Sequence, residues 1–135
     1  MAAPTAGAAP TGSPIGLWLV PDGDGVIEID PCGGGLCGKI VGVTPANNQP
    51  PGQVLAKDGR PLCQRTILQA PNQASAGVWS GIIVNPNDDS QWNCEFWAEE
   101  DGLHLRGYVV LPLLGQTQLW KRLVGHVGPD CRILG

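Results

Sequence analysis

Glycine and proline interrupt this chain so often that its apolar segments are short. Together Gly 20 and Pro 13 make up about a quarter of the 135 residues, close to the level at which a chain stays disordered. Hydrophobic residues at 42% and five tryptophans argue that it folds, so the glycines and prolines mark turns. Many short apolar segments joined by such turns are the pattern of a β-sandwich or barrel. The length suits one domain with a single core. A formal charge of −4 with no basic run argues against a nucleic-acid partner. No apolar stretch approaches the roughly eighteen residues of a membrane-spanning helix.

Residues 1–14 are rich in Ala, Pro and Gly and are expected to be a disordered tail. The opening lacks the basic and apolar regions of a signal peptide, and it reads as a mature sequence with an added Met. The first strand is expected over Ile15–Val20, ending at Pro21, with a tight turn at Asp22-Gly-Asp-Gly25. Val26–Asp30 alternates apolar and charged residues, and Leu36–Val43 returns after a glycine run. The segment 44–62, with Pro45, Pro50, Pro51 and Pro61, reads as a long excursion, with a helical turn near Gln53–Lys57. Further strands are expected at Cys63–Leu68, Val78–Val84, Gln91–Ala98, Leu103–Val110 and Thr117–Leu123, with a polar loop at Ala70–Gly77. Trp92, Cys94, Phe96 and Ala98 share one face of their strand, and Leu103, Leu105, Gly107 and Val109 oppose His104, Arg106 and Tyr108. About eight sequential antiparallel strands close most simply into an all-β up-and-down barrel over 15–124, with a C-terminal tail at 125–135.

Five cysteines in a small loop-rich chain favour an oxidising compartment, and hence a periplasmic or secreted protein. Cys32 and Cys37, with four residues between them across a glycine turn, are placed to form a disulfide, and Cys63 with Cys94 is a second candidate pair. No metal-ligand set is apparent, because the two histidines lie far from the cysteines. No cofactor motif appears. Asp22-Gly-Asp-Gly25 lacks the Glu a calcium loop needs at its twelfth position, which is Gly33. The acidic runs at Asp88-Asp89 and Glu99-Glu-Asp101 read as solvated hairpin tips.

Catalysis finds little support: the four serines lack a nucleophile-elbow context, and His104 and His126 are isolated. Glu28 and Glu95 are the candidate carboxylates, and a convergence of His104, Arg106 and Glu28 is the arrangement that would indicate a hydrolase. The tryptophans either fill the interior or line a cavity, since a barrel of about eight strands can do both. If a cavity exists, Trp79, Trp92, Phe96 and Tyr108 are its expected lining, with Trp79 near the mouth and 44–62 as a lid. If the interior is filled, an interaction module follows, with Trp97 as the natural anchor for a protein partner of unknown identity.

Gly16-Leu-Trp18 and Trp120-Lys-Arg122 resemble the lipocalin and wider calycin signature, in which a late Arg packs over the Trp of the first strand. A longer set is similar to an exported bacterial family known as domain of unknown function 2147. It comprises Gly16-Leu-Trp18, Cys32-Gly-Gly-Gly-Leu-Cys-Gly-Lys-Ile40, Arg60-Pro-Leu-Cys63, Trp79-Ser-Gly-Ile-Ile-Val-Asn-Pro86, Leu105-Arg-Gly-Tyr108 and Leu114-Gly-Gln-Thr-Gln-Leu-Trp-Lys-Arg122. The resemblance implies a lipocalin-like barrel that binds or carries a small hydrophobic molecule without catalysis, with Gly16, Trp18, Trp120 and Arg122 closing one end. The chain departs from the family pattern at Gln64, where a Gly is usual, at Asn87-Asp-Asp-Ser90, and in a longer tail bearing Cys131.

Overall fold

The computed structural model describes residues 12–45, 48–108 and 116–135. Residues 1–11 of the expected tail, 46–47 of the long connection, and 109–115 with the expected end of the seventh strand lie outside it. Eight strands form a closed barrel in sequential order: β1 (Gly16–Leu19), β2 (Gly25–Cys32), β3 (Gly35–Val43), β4 (Thr66–Ser75), β5 (Val78–Asn85), β6 (Ser90–Glu99), β7 (Gly102–Tyr108) and β8 (Gln116–Arg122). Every neighbouring pair is antiparallel, β1 with β8 included. A short hairpin of β9 (His126–Val127) and β10 (Ile133–Leu134) follows.

One row of register partners shows how the strands tilt. It runs Gly16, Ile29, Gly38, Leu68, Ile83, Trp92, passing from the first residue of β1 to the third of β6. Side chains on this row point inward, and alternation does the rest: Trp18, Ile27, Ile29, Leu68, Cys94, Phe96, Ala98, Leu103, Leu105 and Trp120 all lie buried in one core. Two inward positions are glycine because the neighbours leave no room. A Cβ on Gly38 would lie 3.0 Å from Leu68 Cβ, and one on Gly81 would strike the Gln69 carbonyl.

Two stretches differ from what their sequence suggests. The segment 70–75 is strand, since β4 continues through it with register skips between Gln69 and Asn72 and between Gln73 and Ser75. Pro71 cannot donate to a ladder, and it sits within the first skip, where no ladder bond is required of it. The short helix falls at Pro51–Gln53, upstream of the expected turn.

Residues 125–135 fold back against the barrel instead of trailing from it. A Cβ on Gly42 would meet Ile133 Cγ1 at 2.8 Å and Val26 Cβ at 2.9 Å, so this strap covers an outward stretch of β2 and β3. Val26 is fully buried as a result. No helix among the described residues is long and apolar enough to cross a membrane.

Candidate functional site

The two ends of the barrel are built differently. At one end stand the start of β1 and the β2–β3, β4–β5 and β6–β7 turns. There the Arg122 guanidinium lies 4.0 Å from the Trp18 ring centroid and donates to the carbonyls of Ile15 and Ser13. Gly16 makes this approach feasible: its φ is +139°, and a Cβ there would lie 2.5 Å from Arg122 Nη1. Trp18 Nε1 donates to the Pro14 carbonyl at 2.8 Å, so the strand entry is folded over the indole. Trp120 is buried beside it, with its Nε1 donating to Gln118. The Cys32–Cys37 disulfide staples the β2–β3 turn. This end is sealed.

The other end carries the β1–β2 turn, the 44–65 connection and the β5–β6 turn. Val54, Leu62 and Cys63 of the connection pack onto the barrel core, and Ala56 is buried with them. The Lys57 amide donates to the Pro86 carbonyl, tying the connection to the β5–β6 turn. Asp58 accepts from both Arg60 and Arg65, and the Arg65 contact, followed by the Arg60 backbone amide, holds its carboxyl well below the usual range. A disulfide joins Cys63 to Cys131, a buried residue of the strap. Residues 54–65 of the connection therefore pack over this end of the barrel.

The structure replaces the expected Cys63–Cys94 pair with Cys63–Cys131 and leaves Cys94 as a free thiol. Cys94 lies mid-strand on β6 facing the core, whereas Cys63 lies in the connection above the mouth. Burial pushes the Cys94 thiol up to about 12.

The four expected cavity residues do not share a surface. Phe96 faces inward but is fully buried in the packed core. Trp79, opposite Phe96, also faces inward, yet it stands at the sealed end and not at the mouth. Trp92 occupies an inward position at the rim, where it is 43% exposed. Tyr108 faces outward opposite Asn93, and its hydroxyl is shifted up by burial and by Glu95. It belongs to the outer wall.

Gly107 is an inward position opposite Cys94, and among the described residues a Cβ built there would stand in ordinary contact, 3.9 Å from the Asn93 carbonyl and from Trp92 Cβ. The β1–β8 seam is short: Trp18 pairs with Arg122 and Leu19 with Lys121, and the Leu123 amide donates to the Leu17 carbonyl. Where β1 has ended, an open depression of about 530 Å³ lies between Val20, Pro21 and Asp22 on one side and Thr117, Gln118 and Leu119 on the other. Sequence reading missed both features, since neither the level of a residue along the barrel axis nor an incomplete seam has a local signature.

The hydrolase constellation does not assemble. Glu28 lies on β2 beside Lys39, Glu95 lies opposite Ser80 and Arg106 on the far wall, and His104 meets Glu99 and Asp101. Trp97, on the outer face, stacks on His104 and donates to Glu99.

A search of curated proteins finds no match to this chain. Among solved structures it is similar to a Helicobacter pylori protein described as "Protein HP1028 from the human pathogen Helicobacter pylori belongs to the lipocalin family". The identity is 14%, the TM-score is 0.64, and the match covers 84% of this chain and 85% of that one. That likeness concerns the fold, which is lipocalin-like. The model of a bacterial family described as "Uncharacterized protein conserved in bacteria (DUF2147)" matches residues 16–122, from the Gly16-Leu-Trp18 opening to Arg122. With most of its length matched, the chain belongs to the DUF2147 family.

Proposed function

We propose that this protein binds a small apolar molecule in the mouth half of its barrel, beneath the 44–65 cover and outside the cytoplasm. The observation that carries the reading is the rim of the core, where Trp92 is an inward residue yet 43% exposed and Gly107 can take a Cβ without overlap among the described residues. Trp92 and Ile83 flank that level from β6 and β5, and the short β1–β8 seam offers a lateral entry near Gln118. The sealed half is filled by Phe96, Leu68 and Leu103, so the ligand is short or only partly inserted. Two disulfides, one of them holding the cover, support folding in an oxidising compartment. The lipocalin-like neighbour supports a binding role over a catalytic one.

The test is a titration of the protein with dodecanoate and dodecanol, read by tryptophan emission, in parallel with Gly107→Phe. Saturable binding at micromolar ligand that is lost in the variant, with an unchanged melting temperature, is the expected result. A flat titration of the native protein would overturn the reading.

A second reading rests on a different observation. Leu55 at 57%, Ile82 at 45% and Trp92 at 43% are exposed large apolar side chains. Docking onto an envelope or secreted protein is the function that such side chains on a filled barrel would serve. Native mass spectrometry of non-reduced protein from its own envelope separates the two: a co-purified small molecule supports carriage, and a bound protein supports docking.

A further inference from the structure

The hairpin joining β6 to β7 brings Glu99 and Asp101, which read in sequence as a solvated tip, together with His104, which reads as isolated. Nε2 of His104 lies 2.8 Å from Asp101 Oδ1 and 3.8 Å from Glu99 Oε2, and all three donor atoms fall within 4.8 Å of one another. A tetrahedral ion with bonds of about 2.0–2.2 Å sets its ligands roughly 3.4 Å apart. The observed distances bracket that value, so small rotations bring the three atoms onto one ion.

Trp97 separates this cluster from an ordinary surface ion pair. Its indole stacks on the His104 ring, with centroids 5.5 Å apart and planes at 15°, and its Nε1 donates to Glu99 Oε2. One outer-face residue thus orients both the imidazole and a carboxylate, as the outer partners of metal ligands do. The side chains of His104 and Glu99 are 21% and 20% exposed, whereas that of Asp101 is 56% exposed. Two donors are shielded and held, and the third closes from the solvent side. Lys121 donates to the backbone carbonyl of Asp101, and its charge also acts on the Asp101 carboxylate, so an incoming ion competes with it.

We propose that Glu99, Asp101 and His104 form a binding site for a borderline divalent transition-metal ion of the Zn²⁺ class, on the outer wall at the sealed end. An imidazole with two carboxylates suits such ions, whereas Ca²⁺ and Mg²⁺ take oxygen ligands alone. The ion binds Nε2 of the neutral imidazole tautomer whose single proton sits on Nδ1, so the Nε2–Asp101 hydrogen bond gives way to a bond from each group to the metal. Three protein donors leave a fourth position for water or for a donor from another molecule. This site is separate from the mouth, and it stands whether or not an apolar ligand binds there.

The experiment is calorimetric titration of untagged, chelator-treated protein with ZnCl₂, alongside His104→Ala, Trp97→Phe and the control Asp30→Asn. We expect one Zn²⁺ per chain, more than tenfold weaker binding in His104→Ala, roughly tenfold weaker binding in Trp97→Phe, and no change in Asp30→Asn. CaCl₂ should give no binding heat. Thermal melting of each metal-free variant checks that the fold is kept, and Glu99→Gln serves if His104→Ala fails to fold. The proposal is overturned if Zn²⁺ fails to bind below ~1 mM, or if the native and His104→Ala proteins bind it equally.

Discussion

The sealed end and the mouth of this barrel use the same strands to opposite effect. At the sealed end Trp18 and Trp120 are buried, and Arg122 covers Trp18 while bonding the chain entry. At the mouth the closure comes from outside the barrel, from a long connection held by a disulfide to the strap, by backbone bonds to Ile40 and Pro86, and by the packing of Val54 and Leu62. Packing that belongs to the barrel gives a permanent floor, and a cover latched by a few discrete links can be released without unfolding the floor. The contrast should appear first in truncations of β6. Phe96→Ala, in the fully buried layer, should cost about 3–5 kcal/mol, and Trp92→Ala, 43% exposed at the rim, should cost less, about 1–2 kcal/mol. Urea melts of both would break the comparison if the two losses were equal.

The two disulfides sharpen the same contrast. Cys63–Cys131 spans a sequence separation of 68 and Cys32–Cys37 one of 5. Chain-entropy arguments give roughly 4 kcal/mol for the longer loop and about 2 kcal/mol for the shorter. Replacing Cys63 and Cys131 with Ser should therefore destabilise more, and it should also make the 44–65 cover exchange amide hydrogens faster while the Trp18 region stays protected. Uniform loss of protection would show that the cover and the floor are one cooperative unit.

Alternation made much of the fold legible. The Cys94, Phe96 and Ala98 face of β6 and the Leu103 and Leu105 face of β7 are the buried faces, because a period of two fixes which side chains point inward. Depth along the barrel axis has no such period. Trp92 and Phe96 look equivalent in sequence, yet one lies at the rim and the other in the packed layer. The strap was illegible for a related reason: β9 and β10 have two residues each, too few to show a pattern. The Cys63–Cys131 bridge then follows from packing that no local spacing encodes. In the cluster of Glu99, Asp101 and His104, the acidic residues read as a hairpin tip because sequence does not show Trp97 stacking across the strand pair.

Cys94 gives a pH test of the filled layer. Its thiol is raised from 9.0 to about 12 in the folded chain, chiefly by burial. Above pH 9 the unfolded chain gives up this proton while the folded chain keeps it, so stability falls as pH rises toward 12. The slope approaches about 1.4 kcal/mol per pH unit. Cys94→Ala should remove that part of the alkaline loss, as the difference between the two proteins' melting curves from pH 8 to pH 10. In the native state the thiol should resist a disulfide-exchange reagent at pH 8, and non-reduced unfolded protein should release one equivalent. An equal alkaline slope in both proteins would mean that water reaches this layer.

Returning to the floor, Arg122→Ala removes the cation over Trp18 and two hydrogen bonds to the chain entry. Because Arg122 is exposed, the loss should be about 1 kcal/mol, with increased exchange near Ile15 and no change at the cover. Arg122→Lys keeps the charge and should restore only part of it, since the ammonium lacks the planar fork that reaches both carbonyls while stacking.

The smallest effect belongs to the cover. Gln64 has a φ of 69°, a left-handed conformation that glycine tolerates better than glutamine. It directly follows Cys63 and donates its amide to the Ile40 carbonyl at 2.7 Å, so the disulfide and the β3 contact both hold this backbone in place. Gln64→Gly relieves the side-chain clash, which costs about 1–2 kcal/mol in the left-handed region, but it adds roughly 0.5–1 kcal/mol of unfolded-chain entropy. A net stabilisation of about 0.5 kcal/mol should result, read as a small rise in melting temperature with the disulfide intact. In the Cys63/Cys131→Ser background the same substitution should lose its benefit, because an unlatched connection is free to relax residue 64 by itself. A benefit that survives there would show that the left-handed turn is imposed by the β3 contact alone, and that the cover is held from the barrel side.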